Sequence, residues 1–126
     1  MNVLCSVSLG ELVDKISILV IKGRNIKDQA KLTHIKKEEM SLRQTLDSLK
    51  LQGMEPFLDR LVEINSTLWK IEDDIREKER QKKFDQEFIE LARAVYVTND
   101  QRFKVKNEIN TKFGSEFQEV KSYKEY

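Results

Sequence analysis

The chain carries a single proline, Pro56, and four glycines in 126 residues, too few turn-formers to punctuate a many-stranded sheet. Between these breakers apolar side chains return every three or four residues, the period of an α-helix. The strictest run is Phe57, Leu61, Ile64, Leu68, Ile71 and Ile75, an unbroken seven-residue register. The fold that follows is all-α: one domain over residues 1–126, built as an elongated bundle of about four helices. A long antiparallel hairpin lies at its centre, the N-terminus is capped, and a short C-terminal tail docks on the bundle.

Ser8-Leu9-Gly10-Glu11 is a capping box, in which Ser8 accepts from the Glu11 amide and Glu11 reaches back. Behind it Leu9, Leu12, Val13, Ile16, Leu19 and Val20 repeat at helical spacing to about Arg24, with Ile18 and Ile21 on other sides. A helix apolar on more than one face belongs at the centre of its fold. Helix two is expected from about Asp28 to Leu51, with Leu32, Ile35, Leu42, Leu46 and Leu49 in a seven-residue pattern and Glu39 within that seam. Gly53 suits its C′ position and Pro56 the first turn of helix three. That tight link predicts that helices two and three lie antiparallel, each on the order of 35 Å long. Arg76–Lys83 holds no apolar residue and reads as a frayed end or connection. Asp85 can cap helix four, which carries Phe88, Leu91, Ala92, Val95, Phe103, Ile109 and Phe113; Thr98-Asn99-Asp100 invites a break, and Gly114 suits the stop. Phe117, Val120, Tyr123 and Tyr126 are available to dock the tail.

Several classes are excluded or disfavoured. The longest apolar run, Ile18–Ile21, cannot span a bilayer, and the first residues lack the basic and apolar regions of a secretion signal. A net charge of +1 gives nucleic-acid binding no support. One cysteine, Cys5, and one histidine, His34, allow neither an intramolecular disulfide nor a Cys/His zinc cluster, and fit a cytoplasmic protein. No phosphate loop, dinucleotide turn or nucleophile triad is present. Glu72-Asp73-Asp74 and the Glu87/Glu90 pair turn away from the core, so no metal site and no cofactor is expected. Trp69 lies to the side of the helix-three stripe and reads as a packed edge.

The anomaly lies in helix four, where Asn99, Arg102 and Lys106 fall in the middle of the apolar stripe. Spacings of three and four put them on one line about 10 Å long. Cations on a buried face need an acid, an anionic ligand or a partner surface. Glu11, Lys15 and Lys22 form a second strip on helix one. If the two strips face each other, Lys15, Lys22, Arg102 and Lys106 cluster, and Glu11, Asp14 and Glu39 are the acids expected to answer them.

The opening Ser8-Leu9-Gly10-Glu11-Leu12-Val13-Asp14-Lys15-Ile16, the segment Asn99-Asp100 through Asn110 and the ending Lys121-Ser122-Tyr123 resemble a family of small bacterial and phage-associated helical proteins without an assigned function. The resemblance implies a helical fold and groups helix one, the helix-four segment and the tail into one site. It implies no activity. The residue types are also similar in kind to those of the all-helical chorismate mutase, though not in order or spacing. The leading expectation is a module that binds a small anion around Glu11, Lys15, Lys22, Asn99, Arg102 and Lys106. A helical scaffold that acts as a homodimer or with another helical partner is the second reading, and an electrostatic enzyme on an anionic metabolite the third.

Overall fold

The computed structural model describes residues 1–126 and contains four helices: α1 (Leu9–Asn25), α2 (Gln29–Ser48), α3 (Glu55–Arg80) and α4 (Gln86–Lys112). Three starts are capped as their sequences require. Ser8 Oγ accepts from the Glu11 amide (3.2 Å), Asp28 from Lys31 (3.0 Å) and Asp85 from Phe88 (3.0 Å), each satisfying an amide left open by the first helical turn. The reciprocal half of the Ser8 capping box does not form, because the Glu11 carboxylate turns to Lys106 instead. α4 runs unbroken through Thr98-Asn99-Asp100, since burial of Thr98 and the contacts described below outweigh the local preference for a turn. Gly114 (φ 68°) ends it, and the Ser115 amide donates to the Asn110 carbonyl (2.9 Å) in a Schellman closure. At the end of α2 it is Lys50 (φ 51°), not Gly53, that takes the left-handed C′ position; Gly53 (φ 80°) turns the link that follows.

Two hairpins make the bundle, and neither is the pairing of helices two and three. α1 packs on α2, α3 and α4 alike, α3 packs on α4, and α2 and α3 do not run against each other. They converge at their link, where Leu46, Met54 and Leu58 join Val13, Ile16, Leu61, Val105 and Ile109 in one core. The physical reason is the one that makes α1 central. Its buried residues include Val13, Ile16, Leu19 and Ile21, which demand cover on several sides, whereas Leu46 is the one residue that α2 buries. Arg60 paired with Glu108 and Lys78 with Glu87 fix α3 and α4 as antiparallel; Gly10 at Asn110 and Asp14 at Arg102 do the same for α1 and α4. Because α3 and α4 are the longer pair, they outrun α1. No residue is fully buried in α3 after Ile71 or in α4 before Thr98, and this distal arm exposes Phe84, Ile89, Tyr96 and Val97.

The tail docks, and of the side chains expected to dock it Tyr126 makes a contact with α4, through its hydroxyl and ring edge. Phe117, Val120, Tyr123 and Tyr126 stay largely exposed. Polar groups do the holding: Glu119 meets Lys106, Lys121 meets Asp100, and the Tyr126 hydroxyl donates to Asp100 (2.6 Å) with its ring edge-on to Tyr96. No helix is long and apolar enough to cross a membrane.

Candidate functional site: a cationic line on α4 answered from α1 and the tail

Asp14, in the middle of α1, is 1% exposed, and a carboxylate so placed has to be paired to remain charged. The partner is Arg102, one full helix away, whose Nε donates to Oδ1 at 2.8 Å while Nη2 donates to Oδ2. This fork-on-fork geometry is what a planar guanidinium offers a carboxylate. Asn65 of α3 closes the third side, its amide donating to Asp14 Oδ1 (3.0 Å) and to Ser17 Oγ (2.8 Å), and the Ser17 hydroxyl donates in turn to the Asp14 backbone carbonyl (2.6 Å). Three helices are thus tied through one buried acid. The Asp14 carboxylate holds the Arg102 guanidinium above its ordinary pKa, against the desolvation that opposes it.

One turn along α4, Lys106 is 5% exposed, yet its ammonium meets two carboxylates: Glu11 of α1 at 2.9 Å and Glu119 of the tail at 2.7 Å. Burial pulls its pKa down, but Glu119, Glu11 and Asp14 together carry it above the usual lysine value. The stabilisation linked to this ammonium is therefore complete below the unfolded lysine pKa of 10.5 and is lost as pH rises through the higher folded one. Accordingly, the melting-temperature gap between the native chain and Lys106→Met stays constant from pH 7 to 10 and closes above 10.5. A gap that instead closes toward acid would place the stabilisation on another group.

Gly10 makes this approach of α1 and α4 possible. Its amide donates to Asn110 Oδ1 at 2.7 Å, and a Cβ at this position would stand 2.6 Å from the Lys106 carbonyl oxygen. Asn110 is fully buried, and its own amide nitrogen has no partner.

Two openings flank the network. The first, about 200 Å³, is polar; Glu11, Asn99, Arg102, Phe103, Lys106, Glu119 and Lys121 line it. The second, about 410 Å³, is a groove between α1, α3 and α4 lined by the apolar Ile18, Ile21, Leu68 and Trp69 and by the polar Asn65, Glu72, Asp73, Arg76, Asn99 and Arg102. Asn99 and Arg102 border both. A guanidinium has five N–H groups; Asp14 takes two of those on Arg102, and the remaining three have no acceptor in the protein. A larger opening of about 610 Å³ beside Arg24, Asp59 and Lys70 lies on another face of α3 and contains no buried polar group.

Of the residues singled out in the sequence, Glu11, Asn99, Arg102 and Lys106 come together and Asp14 supplies the buried acid. Glu39 does not reach the cations, since it stays on α2 with Arg43 (3.2 Å). Lys15 points the other way, exposed and 3.8 Å from Glu38 of α2, and Lys22 borders neither opening. The helix-one strip splits because Glu11 faces α4 while Lys15 faces α2. Glu119 and Lys121 escaped the sequence reading because an irregular tail has no periodicity to mark which side chain turns inward. Asn65 and Ser17 did carry a signal: both are small polar residues set among apolar neighbours on helices that bury more than one face.

The chain belongs to a family of unknown function (DUF6165), which matches residues 1–126. No curated protein and no solved structure gives a match.

Proposed function

We propose that this DUF6165 member is a binding module for a small anion, which it holds at the free edge of Arg102 between Asn99, Lys106 and Lys121. The observation that carries the reading is the half-used guanidinium. Asp14 fixes Arg102 in place through two N–H groups and leaves three without an acceptor, on a side chain that lines both openings together with Asn99. A donor set that is already oriented costs little ordering when a carboxylate or phosphate arrives. The tail supports the same chemistry, since the Glu119 carboxylate is itself an anion seated against this wall. Cytoplasmic residence suits the module, as it would keep the exposed Cys5 thiol reduced.

Thermal-shift assays with malonate, inorganic phosphate and a sugar phosphate test the proposal. At least one of them at millimolar concentration raises the melting temperature by about 2 °C or more, and Asn99→Ala or Lys121→Ala, neither of which unpairs Asp14, reduces the rise. No shift with any anion, or a shift that both substitutions leave intact, contradicts it.

A second reading, self-association, is favoured by one observation: the distal arm of α3 and α4 leaves Phe84, Ile89, Tyr96 and Val97 exposed, and unshielded apolar side chains of a helical hairpin suit a second copy. Light scattering across a dilution series then gives the mass of a dimer that Ile89→Asp lowers to the monomer. A monomer at every concentration removes this reading.

A further inference from the structure

We infer that the anion taken by this site carries an apolar body, and that this body lies in the α1–α3–α4 groove against Trp69; the inference rests on the anion-binding reading above. The groove and the polar opening meet at the same two side chains, Asn99 and Arg102. A ligand whose carboxylate engages the free N–H groups of Arg102 from the groove side therefore has its remaining atoms directed along Ile18, Ile21, Leu68 and Trp69. The groove holds about 410 Å³, within the range of small-molecule sites, where apolar walls supply affinity and a few polar groups set orientation.

The charges on the groove select among anions. Arg76 is engaged by Glu72 at 3.1 Å, and Asp14, the buried acid behind Arg102, is satisfied by it and Asn65. Asp73, also on the groove lining, forms no ion pair. Arg76 keeps free N–H groups too, but its side chain is 78% exposed on the surface, so Arg102, held by the buried Asp14, offers the fixed cationic donors, and Asp73 disfavours a second negative group. That combination selects a monocarboxylate with an aromatic or branched aliphatic body over a nucleotide or a sugar bisphosphate. Trp69 is half-buried on the groove wall and is the chain's one tryptophan, which makes it both platform and reporter.

The test titrates the full chain with propionate, 3-phenylpropionate and the uncharged 3-phenylpropionamide, following Trp69 emission and amide chemical shifts. The account expects 3-phenylpropionate to bind at least about tenfold more tightly than propionate, since a buried phenyl ring is worth at least that factor, and to alter Trp69 emission. The amide binds more weakly than the acid. Trp69→Ala removes the tenfold gain without changing the affinity for propionate, and Ile18→Ala, which leaves Trp69 in place, reduces the gain. Equal affinities for the two acids, or a gain that survives both substitutions, overturn the groove inference and leave the anion site standing. If neither acid binds, or the amide binds as well as the acid, the groove inference falls; the anion-binding reading falls with it only if malonate, phosphate and the sugar phosphate also leave the melting temperature unchanged.

Discussion

Arg102→Met destabilises the fold by about 3–5 kcal/mol, because it leaves the Asp14 carboxylate buried without its counter-charge. Asp14 is 1% exposed, and its only other side-chain donor is Asn65, so no second protein cation stands ready to replace the guanidinium. Against a typical total stability of about 5–15 kcal/mol, such a loss is easily read in urea unfolding. Asp14→Leu combined with Arg102→Met removes both charges and returns most of the stability, to within about 2 kcal/mol of the native chain, since a well-packed apolar pair commonly replaces a buried ion pair without loss. The double substitution also removes the proposed ligand donors, so it separates the two roles of Arg102: a chain that is stable again but silent to anions. Should Arg102→Met prove nearly neutral, the Asp14–Arg102 pair is not what ties the three helices together.

Gly10→Ala is the second large effect, with an expected loss of about 2–3 kcal/mol. The added methyl would stand 2.6 Å from the Lys106 carbonyl and 3.0 Å from Asn110 Oδ1, neither of which can swing aside as a free side-chain end would. To admit it, α1 must move off α4, lengthening the Gly10 to Asn110 hydrogen bond and the Glu11 to Lys106 ion pair together. Gly23→Ala supplies the contrast within the same helix. No atom lies within 4 Å of its built Cβ, so helix propensity alone acts and stability rises by up to about 1 kcal/mol. Urea denaturation of the two variants checks the pair; a gain at Gly10 as at Gly23 would mean that helix propensity, not the contact with α4, decides both positions.

What could be read from the sequence divides along a physical line. Helix positions, the Ser8, Asp28 and Asp85 caps and the Gly114 stop depend on a few neighbouring residues, and the structure has them. The pairing of helices depends on competition for apolar faces. The short link at Gly53-Pro56 pointed to α2 on α3, but the many-sided apolar surface of α1 had the stronger claim on α3, and that surface was visible in Ile18 and Ile21. Within the site, the Asn99–Arg102–Lys106 line stood out because cations do not belong on an apolar stripe. Glu11 and Asp14 were legible as acids on the opposing helix. Glu39 was misplaced because its position followed from the α2–α3 pairing, and Lys15 and Lys22 because a strip of residues on one helix need not face one neighbour. The partners that the tail supplies, Glu119 and Lys121, left no pattern to read.

That the two cations are satisfied internally does not close the site, because satisfaction is uneven. Lys106 meets two carboxylates, which leaves little for a ligand unless Glu119 is displaced. Arg102 meets one, along one edge. The line first seen as three equivalent positions is therefore a fixed anchor at Lys106 and an open donor edge at Arg102, with Asn99 beside it.

The most direct measurement is isotope-edited NMR of the Arg102 guanidinium during titration with 3-phenylpropionate. The account predicts that the Nε–H signal, held by Asp14, remains slow to exchange and nearly unmoved, while the Nη1 protons and the Asn99 side-chain amide shift and saturate together. Unmoved Nη1 and Asn99 signals at saturating acid, or an Nε–H that exchanges freely in the absence of ligand, would contradict it.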